Sequence, residues 1–170
     1  MVIKEIRDRR SVRNYVSGAC VSDEQIKVLL EAAMLAPSAC NSRPWAFLVV
    51  QNREKLDEIS KIHPYTQMLA TASCAIVVCA DLSLQSGVSE GFFPQDCGAA
   101  TQNVLLQAVE LGLGTCWCGI YPKDDKVRAF RSLFGLSGNV VPFCVIAVGV
   151  SAEEVGSRGF YEEGKVEWIK

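Results

Sequence analysis

The stretch DCGAATQNVLLQAVELGLGTCWCG, residues 96–119, decides the fold. Its first part, 96–113, reads as a long helix that is apolar on nearly every side. Only Asn103, Gln107 and Glu110, at i, i+4 and i+7, make a narrow polar stripe. A helix apolar almost all round is buried on more than one face. Gly98, Ala99, Ala100 and Thr101 keep its first turns small enough for another backbone to come close, and Leu105, Leu106, Val109 and Leu111 supply bulk further along. It is therefore the expected central helix, and Gly-Thr-Cys-Trp-Cys-Gly is a short apolar strand leading directly to a site.

Around this helix the pattern is one of strands and helices in turn. Residues 74–80 are a continuous apolar run of strand length, which suits a sheet covered on both faces. Residues 46–50, 115–120 and 142–150 complete a set of four strands. Ser22-Asp-Glu-Gln25 is a capping box, and Ile26, Leu29, Leu30 and Ala33 follow at helical spacing up to Pro37. Asn52 caps a helix that buries Leu56, Ile59 and Ile62. Pro64 is placed to open another, with Tyr65, Met68, Leu69 and Ala72 on one side. A further helix, 124–134, carries Val127, Phe130 and Leu133. Strands interleaved with helices and no internal repeat give an α/β pattern. Residues 81–94 form a polar loop whose Phe92 and Phe93 either cap the core, the first reading, or line a pocket. The tail, 151–170, is acidic. Its Lys165-Val-Glu-Trp-Ile alternation suits an edge strand with no obvious partner in the same domain.

A chain of 170 residues, 49% hydrophobic and 21% charged, is long enough for one domain, which buries roughly 70% of its unfolded surface. With 17 basic and 19 acidic side chains the formal charge is −2, so no overall field draws nucleic acid or an anionic membrane. The charge is uneven: Lys4, Arg7, Arg9, Arg10 and Arg13 against Glu5 and Asp8 make residues 1–13 net +3 and the remainder −5. No apolar run is long enough to span a bilayer, and the first residues lack a signal-peptide core, so a soluble, cytoplasmic protein is expected. Most of the eight cysteines lie inside apolar runs, where Cys packs as a small hydrophobe; reduced core thiols are the plain reading.

Several segments have site chemistry. Arg9, Arg10 and Arg13 around Ser11 form a donor-rich fork that suits a phosphate, or else a solvated basic face. The helix dipole accounts for cations at 9 and 10 but not at 13. Residues 36–45, Ala-Pro-Ser-Ala-Cys-Asn-Ser-Arg-Pro-Trp, are either a well-made helix-to-strand loop or a set of donors beside a flat wall for a planar heterocycle. His63 has no Ser or Cys partner pattern and reads as a packing or surface residue. Cys116-Trp-Cys118 has too short a spacing for usual zinc or thioredoxin-like pairs, so no metal is expected. Leu111-Gly-Leu-Gly follows a helix and precedes a strand, the reverse of a dinucleotide-binding turn.

In their order, these stretches resemble the nitroreductase family of FMN-dependent oxidoreductases. The likeness is carried by Arg9-Arg-Ser-Val-Arg-Asn-Tyr15, by residues 36–45, by Asp96-Cys-Gly-Ala-Ala-Thr-Gln-Asn103 running into Gly112-Leu-Gly-Thr-Cys-Trp117, and by the closing Arg158 with Phe160-Tyr-Glu-Glu163. The resemblance implies an α+β, three-layer fold: a mixed, mainly antiparallel sheet flanked by helices, in an interlocked homodimer with two FMN sites at the interface. Residues 1–170 are then one FMN-binding domain, with 151–170 an arm reaching the partner. It further implies that Arg9, Arg10, Ser11 and Arg13 hold the flavin phosphate and ring edge, joined by Arg158. Pro37, Ser38, Ala39 and Asn41 come from the other subunit, and the segment at Cys118 and Gly119 lies by the isoalloxazine. NADH or NADPH gives hydride to FMN, and a nitroaromatic, quinone or flavin then takes the electrons in a ping-pong cycle. The chemistry is the cofactor's, with Arg13 stabilising negative charge on it. Arg43 stands where the family commonly has Gln, which adds a charge bearing on acceptor or nicotinamide choice. Two other readings stay open: a flavin-binding or storage protein without nicotinamide turnover, and a thiol redox sensor using Cys116, Cys118 or Cys40.

Overall fold

Residues 74–80 lack polar alternation because both faces of their strand are covered. In the computed structural model, which describes every residue except 155, 157, 158 and 160, all seven are buried. They belong to β2 (Cys74–Asp81), which pairs with β1 (Trp45–Val50) on one side and β4 (Val140–Gly149) on the other. Next to β4 lies β3 (Gly114–Gly119), giving the order β1-β2-β4-β3. Every ladder between these strands is antiparallel; Ser11 and Thr115 add an isolated parallel bridge. The interleaved sequence pattern sets which element follows which, not the direction in which a strand returns. The α/β pattern is therefore realised as an α+β fold on a four-stranded antiparallel sheet, and the parallel element expected in it is only the isolated bridge. Pro142 lies in the part of β4 that pairs with β2 alone, beyond the end of the β3 ladder at Cys144, and at the point where the register with β2 shifts; a sheet edge and a bulge are where a strand tolerates proline.

The central helix is α4 (Phe93–Glu110). It touches all four strands, as well as α1 (Lys4–Asp8) and α2 (Asp23–Met34) packed outside it. It begins and ends three residues earlier than its apolar pattern suggests. Pro94 fits the first turn, where no amide donor is needed. Gly112, at φ 69°, closes the other end: its N–H donates to Val109 O and the Leu113 N–H to Ala108 O, the Schellman pattern. Phe93 packs edge-on to Tyr121 with ring centroids 5.0 Å apart, while Phe92 is exposed, so only one of the pair serves the core.

The third layer holds α3 (Arg53–Ile62) and α5 (Asp124–Phe134). Trp117 points to the α4 side, where it meets Phe143. The two-residue period of β3 therefore turns Cys116 and Cys118 to the α3/α5 side. No second helix starts at Pro64. The His63 carbonyl accepts both Thr66 N–H and Thr66 Oγ1–H, which ties a turn, and only a 3₁₀ turn, Gln67–Ala70, follows. The strand expected over 165–169 finds no ladder partner among the described residues, and those side chains are exposed. No helix among the described residues is long and apolar enough to cross a membrane.

Candidate active site

The basic arm after α1 lies across the start of β3 and the end of β4. Val12 N–H donates to Thr115 O (2.9 Å), and Val16 N–H to Val150 O (2.9 Å). Tyr15 is buried, its hydroxyl donating to Val12 O at 2.9 Å. Burial pushes the Tyr15 phenol well above its usual range, so it remains a donor. The seat is a pair of glycines that are register partners, Gly114 and Gly149. A Cβ on Gly114 would stand 2.8 Å from Val12, and one on Gly149 2.8 Å from the Tyr15 ring. Only glycine lets the arm lie this close.

Arg9, Arg10, Ser11 and Arg13 then line one cavity of about 780 Å³, together with Glu153 and Glu154. Glu153 accepts the Arg13 and Asn14 backbone N–H groups and the Asn14 side-chain amide. These bonds, the Arg13 N–H first, hold its carboxyl below the usual range. Glu153 thereby fixes the arm's backbone at Arg13 and Asn14. Arg10 also donates to Gly156 O, tying the arm to the tail.

Arg13 is the residue shared with a second cavity of about 630 Å³, whose walls include Tyr65, Met68, Trp117 and Tyr121 and whose edge carries Cys118 and Gly119. His63 and Lys126 form its floor. His63 is buried: its Nδ1 accepts Tyr65 N–H (3.3 Å), which assigns the ring proton to Nε2, donated to Gly119 O at 2.8 Å. Burial, and then the nearby Lys126 ammonium, lower the His63 pKa, so the ring is neutral. Cys118 Sγ donates to Tyr65 O at 3.1 Å. Thus the 63–66 turn clamps the end of β3 from two sides. The neighbouring Cys118 thiol, then Arg13 and Ser11, lower the Cys116 pKa against the effect of burial, while Cys116 and burial raise that of Cys118.

The 37–43 loop lies elsewhere. Cys40, Asn41 and Arg43 take left-handed φ of 50°, 53° and 48°, a conformation that side chains other than glycine hold only when the surroundings over-determine it. Here Asp96, buried in the first turn of α4, accepts Ala39 N–H at 2.9 Å, and Ser38 Oγ accepts Arg43 N–H at 3.0 Å. Arg43 turns its guanidinium to Asn41 Oδ1 (3.1 Å), not to Cys40. Among the described residues, Ser42 Oγ is the buried side-chain polar atom left without a partner. None of Pro37, Ser38, Ala39 or Asn41 lines either cavity. The arm's Arg10 and Val12 line a small cavity with Val109 of α4, and the helical rise of 1.5 Å per residue puts about 20 Å along the helix between Val109 and Asp96.

The profile of the nitroreductase family matches residues 6–64 and 63–150. The chain belongs to the nitroreductase family. A relative from Methanothermobacter thermautotrophicus, named "Putative NADH dehydrogenase/NAD(P)H nitroreductase", is 45% identical over 97% of this chain and 85% of its own. The crystal structure of "Putative NADH Oxidase" from Clostridium acetobutylicum superposes with a TM-score of 0.92 at 40% identity, over 98% and 99% of the two chains. A Desulfovibrio desulfuricans structure, "a putative nitroreductase in complex with fmn", gives a TM-score of 0.82 at 29% identity over 98% and 95%.

In this nitroreductase fold, the structure brings Arg9, Arg10, Ser11 and Arg13 together, and joins them through Arg13 to Cys118 and Gly119. It keeps Pro37, Ser38, Ala39 and Asn41 apart from them. Arg158 lies outside the described residues. Sequence reasoning missed Glu153, Tyr65, Lys126 and the contact of His63 with Gly119. The two seat glycines had a visible signal, since glycine at the edge of a strand marks a close backbone approach.

Proposed function

We propose that the chain is an FMN-dependent NAD(P)H oxidoreductase acting as a homodimer, each flavin lying between the arm of one subunit and the 37–43 loop of the other. One observation carries this: the two donor sets sit at opposite ends of α4, and the loop, strained and with an orphan hydroxyl at Ser42, faces neither cavity of its own chain. A second copy brings them together. The exposed Ile3, Ile6, Met34 and Leu35 on α1 and at the end of α2, beside a shallow groove at Leu106, suit that copy, and the exposed Trp168 and Ile169 of the 151–170 arm suit its far side. The names of the relatives and the FMN complex support the same reading.

The residues fit FMN. Guanidiniums and a hydroxyl at one end suit a phosphate, flat apolar walls at the other suit a fused ring, and Arg13 stands at the junction. Bound there, FMN supplies the two-electron relay between nicotinamide and acceptor. Arg9, Arg10 and Ser11 hold the phosphate end. The Arg13 guanidinium presents positive charge where reduction adds negative charge, a preorganised electrostatic role. The clamp of His63 and Tyr65 on β3 keeps the Cys118–Gly119 backbone in place against the ring. Nicotinamide and a flat acceptor, such as a nitroaromatic, quinone or free flavin, use the same cavity in turn, which makes the cycle ping-pong.

A dithiol switch at Cys116 and Cys118 is a weaker reading. Two residues along a strand set Cα atoms about 6.4–6.8 Å apart, the upper limit of what a disulfide spans. The test is subunit complementation. Arg13→Ala and Asn41→Ala dimers each lose turnover, and mixed dimers regain one native site, so random mixing restores about a quarter of wild-type activity. No recovery on mixing overturns the two-chain site.

A further inference from the structure

We propose that the ring-side cavity contains an anion subsite, formed by Lys126 and Lys123 against the His63 ring, which selects flat acceptors bearing a carboxylate or a similar negative group. This rests on the oxidoreductase reading above. Lys126 is half-buried in the first turn of α5, with Nζ 3.2 Å from His63 Nε2 and 5.6 Å from the centre of the Tyr65 ring. Its environment does not balance its charge. His63 Nε2 has its proton committed to Gly119 O, so the ammonium faces a donor rather than a lone pair. The positive end of a helix dipole opposes a cation at this position. Among the described residues neither Lys126 nor Lys123 forms an ion pair. Asp124 and Asp125 do not line the cavity, whereas both lysines do.

A half-buried ammonium with a donor below it and an aromatic face beside it contributes little to stability. It is, however, well placed for a ligand. The Tyr65 ring beside Lys126 offers the flat face for an aromatic acceptor, and the two lysines meet a charge at its edge. The arm cavity, which would take the flavin phosphate, shares only Arg13 with this one, so its cations remain separate. The anion has two sources: a carboxylate on the acceptor, which we assign, and the phosphates of the nicotinamide.

The test compares two isosteric acceptors, 4-nitrobenzoate and the neutral 4-nitrobenzamide, with FMN-loaded protein and NADH or NADPH. Wild-type protein gives a KM about tenfold lower for the benzoate, the size of one charge-assisted hydrogen bond. The KM ratio collapses towards one in Lys126→Gln and is kept in Lys126→Arg. Equal KM values in the wild type, or a ratio unmoved by Lys126→Gln, overturn the subsite. A larger change in nicotinamide KM than in that ratio gives the cations to the nicotinamide phosphates and also overturns it. Quenching of tryptophan fluorescence by benzoate and benzamide, titrated on the same proteins, reads binding without turnover. If no acceptor turns over, a benzoate preference lost in Lys126→Gln still upholds the subsite, its absence overturns it, and the oxidoreductase reading alone fails.

Discussion

The arm's seat on paired glycines makes Gly114→Ala a sharp perturbation. The added Cβ would stand 2.8, 2.9 and 3.0 Å from Cγ1, Cβ and Cγ2 of Val12, where ordinary carbon contacts begin near 3.4 Å. Rotating the valine does not relieve this, because its Cβ is itself one of the colliding atoms. The arm's backbone must retreat, which strains the Val12 N–H bond to Thr115 O and carries Ser11 and Arg13 with it. Overpacking costs about 1–3 kcal/mol and the lost hydrogen bond about 1 kcal/mol. At about 2–4 °C per kcal/mol for a domain of this size, the melting temperature falls by roughly 4–16 °C. Moving one charge-assisted donor away from the phosphate weakens FMN binding by about tenfold or more. Calorimetry and a flavin fluorescence titration read both effects. A Gly114→Ala protein that melts within about 1 °C of wild type and binds FMN equally well refutes the seat.

Two further predictions concern buried groups. His63→Phe keeps volume but orphans the Gly119 carbonyl, at a cost of about 1–3 kcal/mol by urea unfolding. Because burial lowers the His63 pKa, its stabilising effect is complete above about pH 6.5 and is lost as pH falls through the folded value; the variant should lack that acidic decline, and identical acid profiles count against the assignment. At the other end of the scale, burial pushes Cys74, Cys79 and Cys97 each up to about 12 from 9.0. Their stabilising effect is complete below pH 9 and is lost as pH rises towards 12, by up to about 4 kcal/mol together at pH 10. Melting temperatures under reducing conditions that stay level from pH 8 to 10.5 contradict this.

Elements whose causes are local were legible in the sequence. The Ser22–Gln25 capping box appears in both of its hydrogen bonds, and α5 spans the residues its apolar spacing implies. The arm and the 36–45 loop stood out through charge and composition. What was hidden depends on partners distant along the chain. Strand direction is one such feature, since interleaving is silent on it. His63 is another: a lone histidine at a helix end gains meaning only once β3 delivers the Gly119 carbonyl to it. Glu153 had no signal in an acidic tail, yet it fixes the backbone at Arg13 and Asn14. The turn at Pro64 replaced an expected helix because Thr66 bonds back to His63.

The most direct test of the central claim is a visible absorption spectrum of the purified protein, loaded with FMN and freed of excess, before and after NADH or NADPH is added without oxygen. The account predicts bound-flavin bands that bleach with at least one nicotinamide and return when an acceptor is supplied. A protein that retains no flavin, or whose flavin bands persist with both nicotinamides, contradicts it.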